Sequence, residues 1–253
     1  MMAVQAYPTL KPTALLAVDV VVFTLRPESV EQAWQVLLVG RTEPSGQTHL
    51  ALPGVLVEGD ETFDGAARRA LAVKAGIDAG DWYLEQLATF GDPVRDSRAR
   101  VASVAHIALI RSDDLVFRPI PVESHEQIAR GSTAKWWPVS AIPWDNLAFD
   151  HARIIREAVA RVRGKVRYAW VLFQLLPPVF TMSELRAAYA AVRDPEVMHL
   201  STSNVRKLFR GLIEKGTLVP VGERAEAQGR GRPGDLFHFD GPLTGTWARE
   251  LPW

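Results

Sequence analysis

Residues 54–77 read GVLVEGDETFDGAARRALAVKAGI, and the fold turns on what lies in the middle of this stretch. Thr62 suits an N-cap, where its hydroxyl accepts a bond from an amide of the first helical turn. Gly76 suits the left-handed residue that closes a helix, a conformation without steric cost where there is no Cβ. Between them FDGAARRALAVKAG reads as a helix.

Strands surround this helix. LLAVDVVVFTL (15–25) and AWQVLLVG (33–40) are dense in β-branched and aliphatic residues and too short for buried helices. A Pro/Ser/Gly-containing loop, RTEPSGQTH, leads to LALPGVLVEGDE, and YLEQLATF, VASVAHIALI and AKWWPV read as further strands. A closing helix near 150–163 places Ile154, Ile155, Ala158, Val159 and Val162 on one face. Strands, helix, strands and helix make an α+β unit with a mixed sheet.

The texture then changes. VRYAWVLFQLL reads as a helix stopped by Pro177 and Pro178, and FTMSELRAAYAAV as a second, with Thr181 and Glu184 as capping box and Phe180 and Leu185 as hydrophobic staple. A third helix begins around Ser201 and ends at Gly216. Val205, Leu208, Phe209, Leu212 and Ile213 form its apolar stripe, and Ser203, Asn204, Arg206, Lys207 and Arg210 lie off that stripe. TLVPVGE and DLFHFD follow as short strands around a Gly/Arg-rich loop carrying Arg230 and Arg232. Three helices and a hairpin are the layout of a winged helix-turn-helix, whose third helix suits the major groove and whose wing reaches phosphates. Gly229, Gly231 and Gly234 formally satisfy GxGxxG, but that loop opens no helix and contains Pro233, so a dinucleotide fold is a poor reading.

At 253 residues and 47% hydrophobic content the chain is sized for two modest domains, placed at 1–164 and 165–253. Residues 1–150 hold 13 Lys+Arg against 19 Asp+Glu, whereas 151–253 hold 16 against 10. The difference fits either ordinary scatter between solvated faces or an acidic unit joined to a basic one that meets a polyanion. The absence of cysteine removes disulfides, thiolate zinc sites and cysteine nucleophiles, and fits the cytoplasm. The longest apolar run, ALLAVDVVVFTL, is broken by Asp19 and too short to span a bilayer, so no membrane is expected.

Residues 54–77 also resemble a Nudix box. That pattern runs Gly, five residues, Glu, seven residues, Arg-Glu-aliphatic-x-Glu-Glu-x-Gly-aliphatic, and Glu61, Arg69, Leu71, Gly76 and Ile77 stand in register with it. The resemblance implies that Glu61, Arg69 and Gly76 keep structural roles. The three glutamates that hold magnesium in the family are replaced by Ala70, Val73 and Lys74, which offer a hard cation no oxygen ligand. No metal, no cofactor and no catalytic residue are therefore expected. QLATFGDPVRDSRARVASVAHIALI is similar to the branch of the family that handles ADP-ribose. On that resemblance Arg41, Gly54, Glu58, Lys74, Phe90, Asp92, Arg95 and Asp96 are the candidate ligand-binding residues, with Phe90 stacking on a base.

Taken whole, including LAFDHARIIREAVARVRGKV and GRPGDLFHF, the chain is similar to the Nudix-related transcriptional regulators, the NrtR family. The resemblance implies a Nudix-type α/β/α sandwich with a mixed sheet, followed by a smaller winged helix-turn-helix domain. It implies a homodimeric repressor of NAD-biosynthesis genes that leaves double-stranded operator DNA when ADP-ribose binds, with its hinge near 148–167. Two alternatives stay open: an active ADP-ribose pyrophosphatase that recruits Glu58, Asp60 or Asp64 for a metal, and a regulator answering a different sugar or nucleotide.

Overall fold

The computed structural model describes residues 14–26, 33–43, 45–78, 80, 82–115, 134–166, 170–193, 202–225 and 234–241, with the backbone alone for 202–206, 208 and 223. Strands β1 (Leu15–Leu25), β2 (Trp34–Thr42), β3 (Thr48–Ala51), β4 (Gly54–Leu56), β5 (Tyr83–Phe90), β6 (Val101–Leu109) and β7 (Ala134–Pro138) form one mixed sheet. Its main path runs β3-β2-β1-β6-β5, with β4 against β1 and β7 against β2. β1 is parallel to β6 from Leu15↔Val101 to Phe23↔Leu109 and antiparallel to β2 and β4.

The unbroken apolar run of β1 reflects burial on both faces. Val18, Val20 and Val22 pack with Ala66, Ala67, Ala70 and Leu71 of helix α1 (Phe63–Ala75), while Val21 and Phe23 pack with Ile154, Ile155 and Ala158 of helix α2 (His151–Val166). The result is a helix-sheet-helix sandwich. Helix α1 begins where Thr62 accepts from the Gly65 amide and ends at Gly76, whose φ of 65° permits the bond from its N–H to Ala72 O.

Helix α2 is continuous through most of the stretch expected to act as a hinge. Beyond it, the described residues of the stretch expected to be a helix are not α-helical: Trp170–Gln174 is a 3₁₀ turn. Val171, Leu172, Phe173 and Gln174 are buried in succession, which leaves no solvent stripe, and Pro177-Pro178 follow at once, so only a short tight turn fits. The sequence also concealed β8 (Val179–Thr181), which joins β9 (Leu218–Arg224) and β10 (Asp235–Phe239) in the order β8-β10-β9. Helices α3 (Met182–Val192) and α4 (Thr202–Glu214) complete this part.

A single apolar cluster runs from Ile107 and Leu109 in the sheet through Val162 and Val166 of α2 to Phe209, Leu212 and Phe237. The C-terminal elements are thus packed onto the sandwich through α2. Thr181 and Glu184 form the reciprocal capping box of α3. Changing Thr181 to alanine is expected to cost about 1 kcal/mol, read as a lower urea midpoint.

Candidate functional site

A cleft of about 530 Å³ opens where the end of β2, the loop after β5 and the start of α2 converge. Antiparallel register sets Arg41 opposite His49 on β3. The Asp92 carboxylate accepts from the Val94 amide and its carbonyl from the Arg95 amide, a turn that fixes the far wall. Phe149, Asp150 and Arg153 supply the third wall.

The guanidiniums are held differently. Arg41 pairs with Glu43 at 3.1 Å and lies over the Phe149 ring at 4.6 Å. Arg95 is buried between two carboxylates. Arg153 is exposed over the ring of Phe90 at 5.6 Å, and among the described residues it has no carboxylate partner. A ligand bearing negative charge and a planar ring matches this set of cations and one exposed aromatic.

Beneath the cleft lies a polar network centred on Asp19. Its Oδ2 accepts from Ser103 Oγ at 2.7 Å and from Arg95 at 3.1 Å, and its Oδ1 faces His151 Nε2 at 3.4 Å. His151 Nδ1 accepts from the Leu52 amide at 2.9 Å, which places the ring proton on Nε2, toward Asp19. Arg95 also binds Asp150 through two nitrogens. Burial alone would raise the Asp19 carboxyl, but His151, Ser103 and Arg95 outweigh it and bring its pKa down to about 2. Gly54 is opposite Asp19 in the β1–β4 register, and a Cβ there would lie 2.3 Å from Asp19 Oδ1. Its role is to admit this carboxylate.

Of the eight residues expected to bind ligand, Arg41, Asp92 and Arg95 line the cleft. The other five do not line it. Phe90 is 2% exposed in the core under Arg153 and cannot receive a base. Gly54 is packed against Asp19. Glu58 pairs with Arg69 at 3.1 Å. Lys74 is on α1, across the sheet, where burial and then the charge of Arg69 lower its pKa. Asp96 turns inward to grip Arg98 at 2.7 Å, and that guanidinium holds its carboxyl below the usual range. His49, Phe149, Asp150 and Arg153 were missed. FDH at the start of a helix and an aspartate inside an apolar strand were the signals available.

Arg69 carries a second brace of the α1 region. It binds both oxygens of Glu61 and donates to Leu56 O at 2.8 Å. Magnesium does not fit the places that hold it in Nudix hydrolases. Ala70 is fully buried, and Val73 and Lys74 offer no oxygen. Glu58 and Glu61 are taken up by Arg69 and Asp64 faces His106, and no group of three or more His, Asp or Glu able to hold a metal ion occurs among the described residues.

In the C-terminal part, Phe209 and Leu212 of α4 are buried, while Lys207 and Arg210 are exposed. Ile213, expected inside, is 36% exposed in the last turn. The side chains of Ser203, Asn204 and Arg206 and all of Arg230 and Arg232 lie outside the described residues. Arg224 and Asp235 pair at 3.4 Å across the hairpin. Among the described residues no helix is long and apolar enough to cross a membrane.

A mixed-sheet sandwich with a helix braced by Glu61 and Arg69, and with a basic helix and hairpin packed behind it, defines a Nudix fold joined to a winged helix. The NUDIX domain family matches residues 15–158, and the NrtR DNA-binding winged helix domain matches 172–239. The ADPR responsive transcriptional repressor NtrR of Acinetobacter baylyi is 31% identical over 231 residues, which cover 90% of this chain and 83% of that protein. Shewanella oneidensis NrtR complexed with a 27mer DNA superposes with TM-score 0.65 at 29% identity over 89% of this chain and 93% of that one. A MutT/nudix family protein from Enterococcus faecalis shares the fold, with TM-score 0.67 at 22% identity over 93% and 90%. The chain belongs to the NrtR family of Nudix-related transcriptional regulators.

Proposed function

We propose that the protein is an ADP-ribose-responsive repressor of NAD-biosynthesis genes, working as a cytoplasmic homodimer. Residues 1–164 sense the ligand and 165–253 hold operator DNA. The observation that carries this reading is the apolar cluster running without a break from the sheet through α2 to α4, while the first turn of that same α2 helps wall the cleft. ADP-ribose supplies a diphosphate for Arg153 and Arg41. Binding it shifts α2 and, through the shared core, the basic helix. The relative's ADPR response and the bound DNA of the Shewanella structure support the two ends of this path. Ala70, Val73 and Lys74 in the metal-binding slots support recognition without hydrolysis, so no cofactor is assigned. Two copies are needed to place two α4 helices in successive half-sites.

The test uses operator DNA selected by the wild-type protein from a randomised pool, with binding followed by fluorescence anisotropy. ADP-ribose is expected to weaken the complex roughly 5- to 150-fold, the range of ordinary site-to-site coupling. The double variant Lys207→Ala/Arg210→Ala should lower the salt dependence of DNA binding by about two units of slope and leave ADP-ribose affinity intact. Unchanged DNA affinity in that variant, or release of AMP from ADP-ribose with magnesium at enzymatic rates, overturns the reading.

A further inference from the structure

Phe149 is the only residue other than glycine with a positive φ among the described residues, at 54°. It occupies the second position of a turn closed by the bond from His151 N–H to Ala148 O, a place where that conformation favours glycine. The flanks hold it there. Ala148 is buried and donates to Leu50 O at 2.8 Å, and His151 is fixed by Leu52 and Asp19. The side chain so presented is 38% exposed, on the wall of the cleft. Strain retained at a non-glycine residue points to a use for the side chain. Packing does not supply that use, since the ring is turned away from the core toward charge. Arg41 lies over it at 4.6 Å, Arg98 at 5.4 Å, and the His151 ring meets it edge-on at 5.3 Å and 61°.

We propose that Phe149 is the platform on which the base of the bound nucleotide stacks, the base displacing the Arg41 guanidinium from the ring toward the diphosphate. This rests on the reading of the cleft as the ADP-ribose site and assigns the residue that distinguishes a nucleotide from a bare diphosphate. A guanidinium and an adenine are both planar and both favoured over an aromatic face, so one replaces the other without exposing the ring. Arg41, already paired with Glu43, remains beside the cleft and able to turn to the phosphates. Because Phe149 immediately precedes Asp150 and His151, a base pressed on its ring acts at the first turn of α2.

Calorimetric titration of the full chain with ADP-ribose, and with inorganic pyrophosphate as a probe lacking the base, tests the assignment. Phe149→Leu and Phe149→Gly should bind ADP-ribose roughly tenfold to a hundredfold more weakly, while Phe149→Tyr binds it as wild type does. Pyrophosphate affinity should be the same in all four proteins. Phe149→Gly relieves the positive φ, so its thermal midpoint should not fall below wild type, which separates loss of stacking from loss of fold. Wild-type ADP-ribose affinity in the leucine and glycine variants overturns the proposal and leaves the cleft assignment standing. Equal losses for ADP-ribose and pyrophosphate also overturn it, because the ring would then only support the cleft. Failure of wild type to bind ADP-ribose removes the functional reading itself, and this proposal with it.

Discussion

Replacing Asp19 with asparagine is expected to cost about 3 kcal/mol of folding stability at neutral pH, the lower end of the loss caused by removing one partner of a buried ion pair. The carboxylate receives Ser103 and Arg95 on one oxygen and faces His151 on the other. An amide presents an N–H₂ on one of those sides. If it faces His151, two donors oppose each other, and the imidazole cannot exchange its proton to Nδ1 without giving up the Leu52 amide. If it faces the other way, Ser103 and Arg95 lose their acceptor. Asp150 continues to hold Arg95, which keeps the loss from reaching the upper end.

Ionisation of Asp19 also makes this stability depend on pH. A carboxyl lowered from 3.8 to about 2 on folding stabilises the protein above the unfolded value, and that contribution disappears as pH falls through the folded one. Its size is about 2 kcal/mol. The stability gap between wild type and Asp19→Asn, measured by urea unfolding, should therefore be constant from about pH 7 to 5 and narrow below about pH 4. A gap that widens as pH falls would mean that Asp19 is not the ionised centre of this network.

The same network shows where sequence reading reaches its limit. Strand β1 and the caps of α1 were legible because their causes are local: a β-branched run, a threonine hydroxyl and a glycine. Asp19 was visible in the sequence as an interruption of an apolar run. Its partners are not, since Arg95 lies 76 residues away, Ser103 84, and the His151–Leu52 bond spans 99. Parallel pairing of β1 with β6 and the approach of α2 bring them together, and neither is written in any local pattern. The burial of Phe90 was hidden for a different reason. A register shift between Gln86 and Ala88 breaks the alternation of β5, so that Leu87 and Phe90, three apart, both point into the core. Counting by twos cannot foresee that inversion. The basic face of α4 was readable from helical spacing, as the exposed Lys207 and Arg210 against buried Phe209 and Leu212 bear out. The cleft was only partly readable, because Arg41, Phe149 and Arg153 meet through sheet register and not through proximity in the chain.

The far end of α2 carries the second large effect. Glu85 of β5, almost wholly buried, receives Arg161 on one oxygen at 3.0 Å and Lys165 and Tyr83 on the other, and Lys165 also donates to Tyr83 at 3.2 Å. Helix α2 is thereby tied to an edge strand one residue before its end at Val166, and the 3₁₀ turn that starts the C-terminal part follows at Trp170. Glu85→Gln takes the countercharge away from the buried Lys165 ammonium, and a loss of about 3–5 kcal/mol is expected. Lys165→Met removes the cation instead, places a flexible apolar chain beside Val162 and Val166, and should cost about 1 kcal/mol. Combining the two should recover most of the first loss, since the stranded charge is then gone. Urea unfolding of the three variants reads this directly. Additive losses in the double variant would show that Glu85 matters through shape, and the ion pair would then not be what fixes α2 to the sheet.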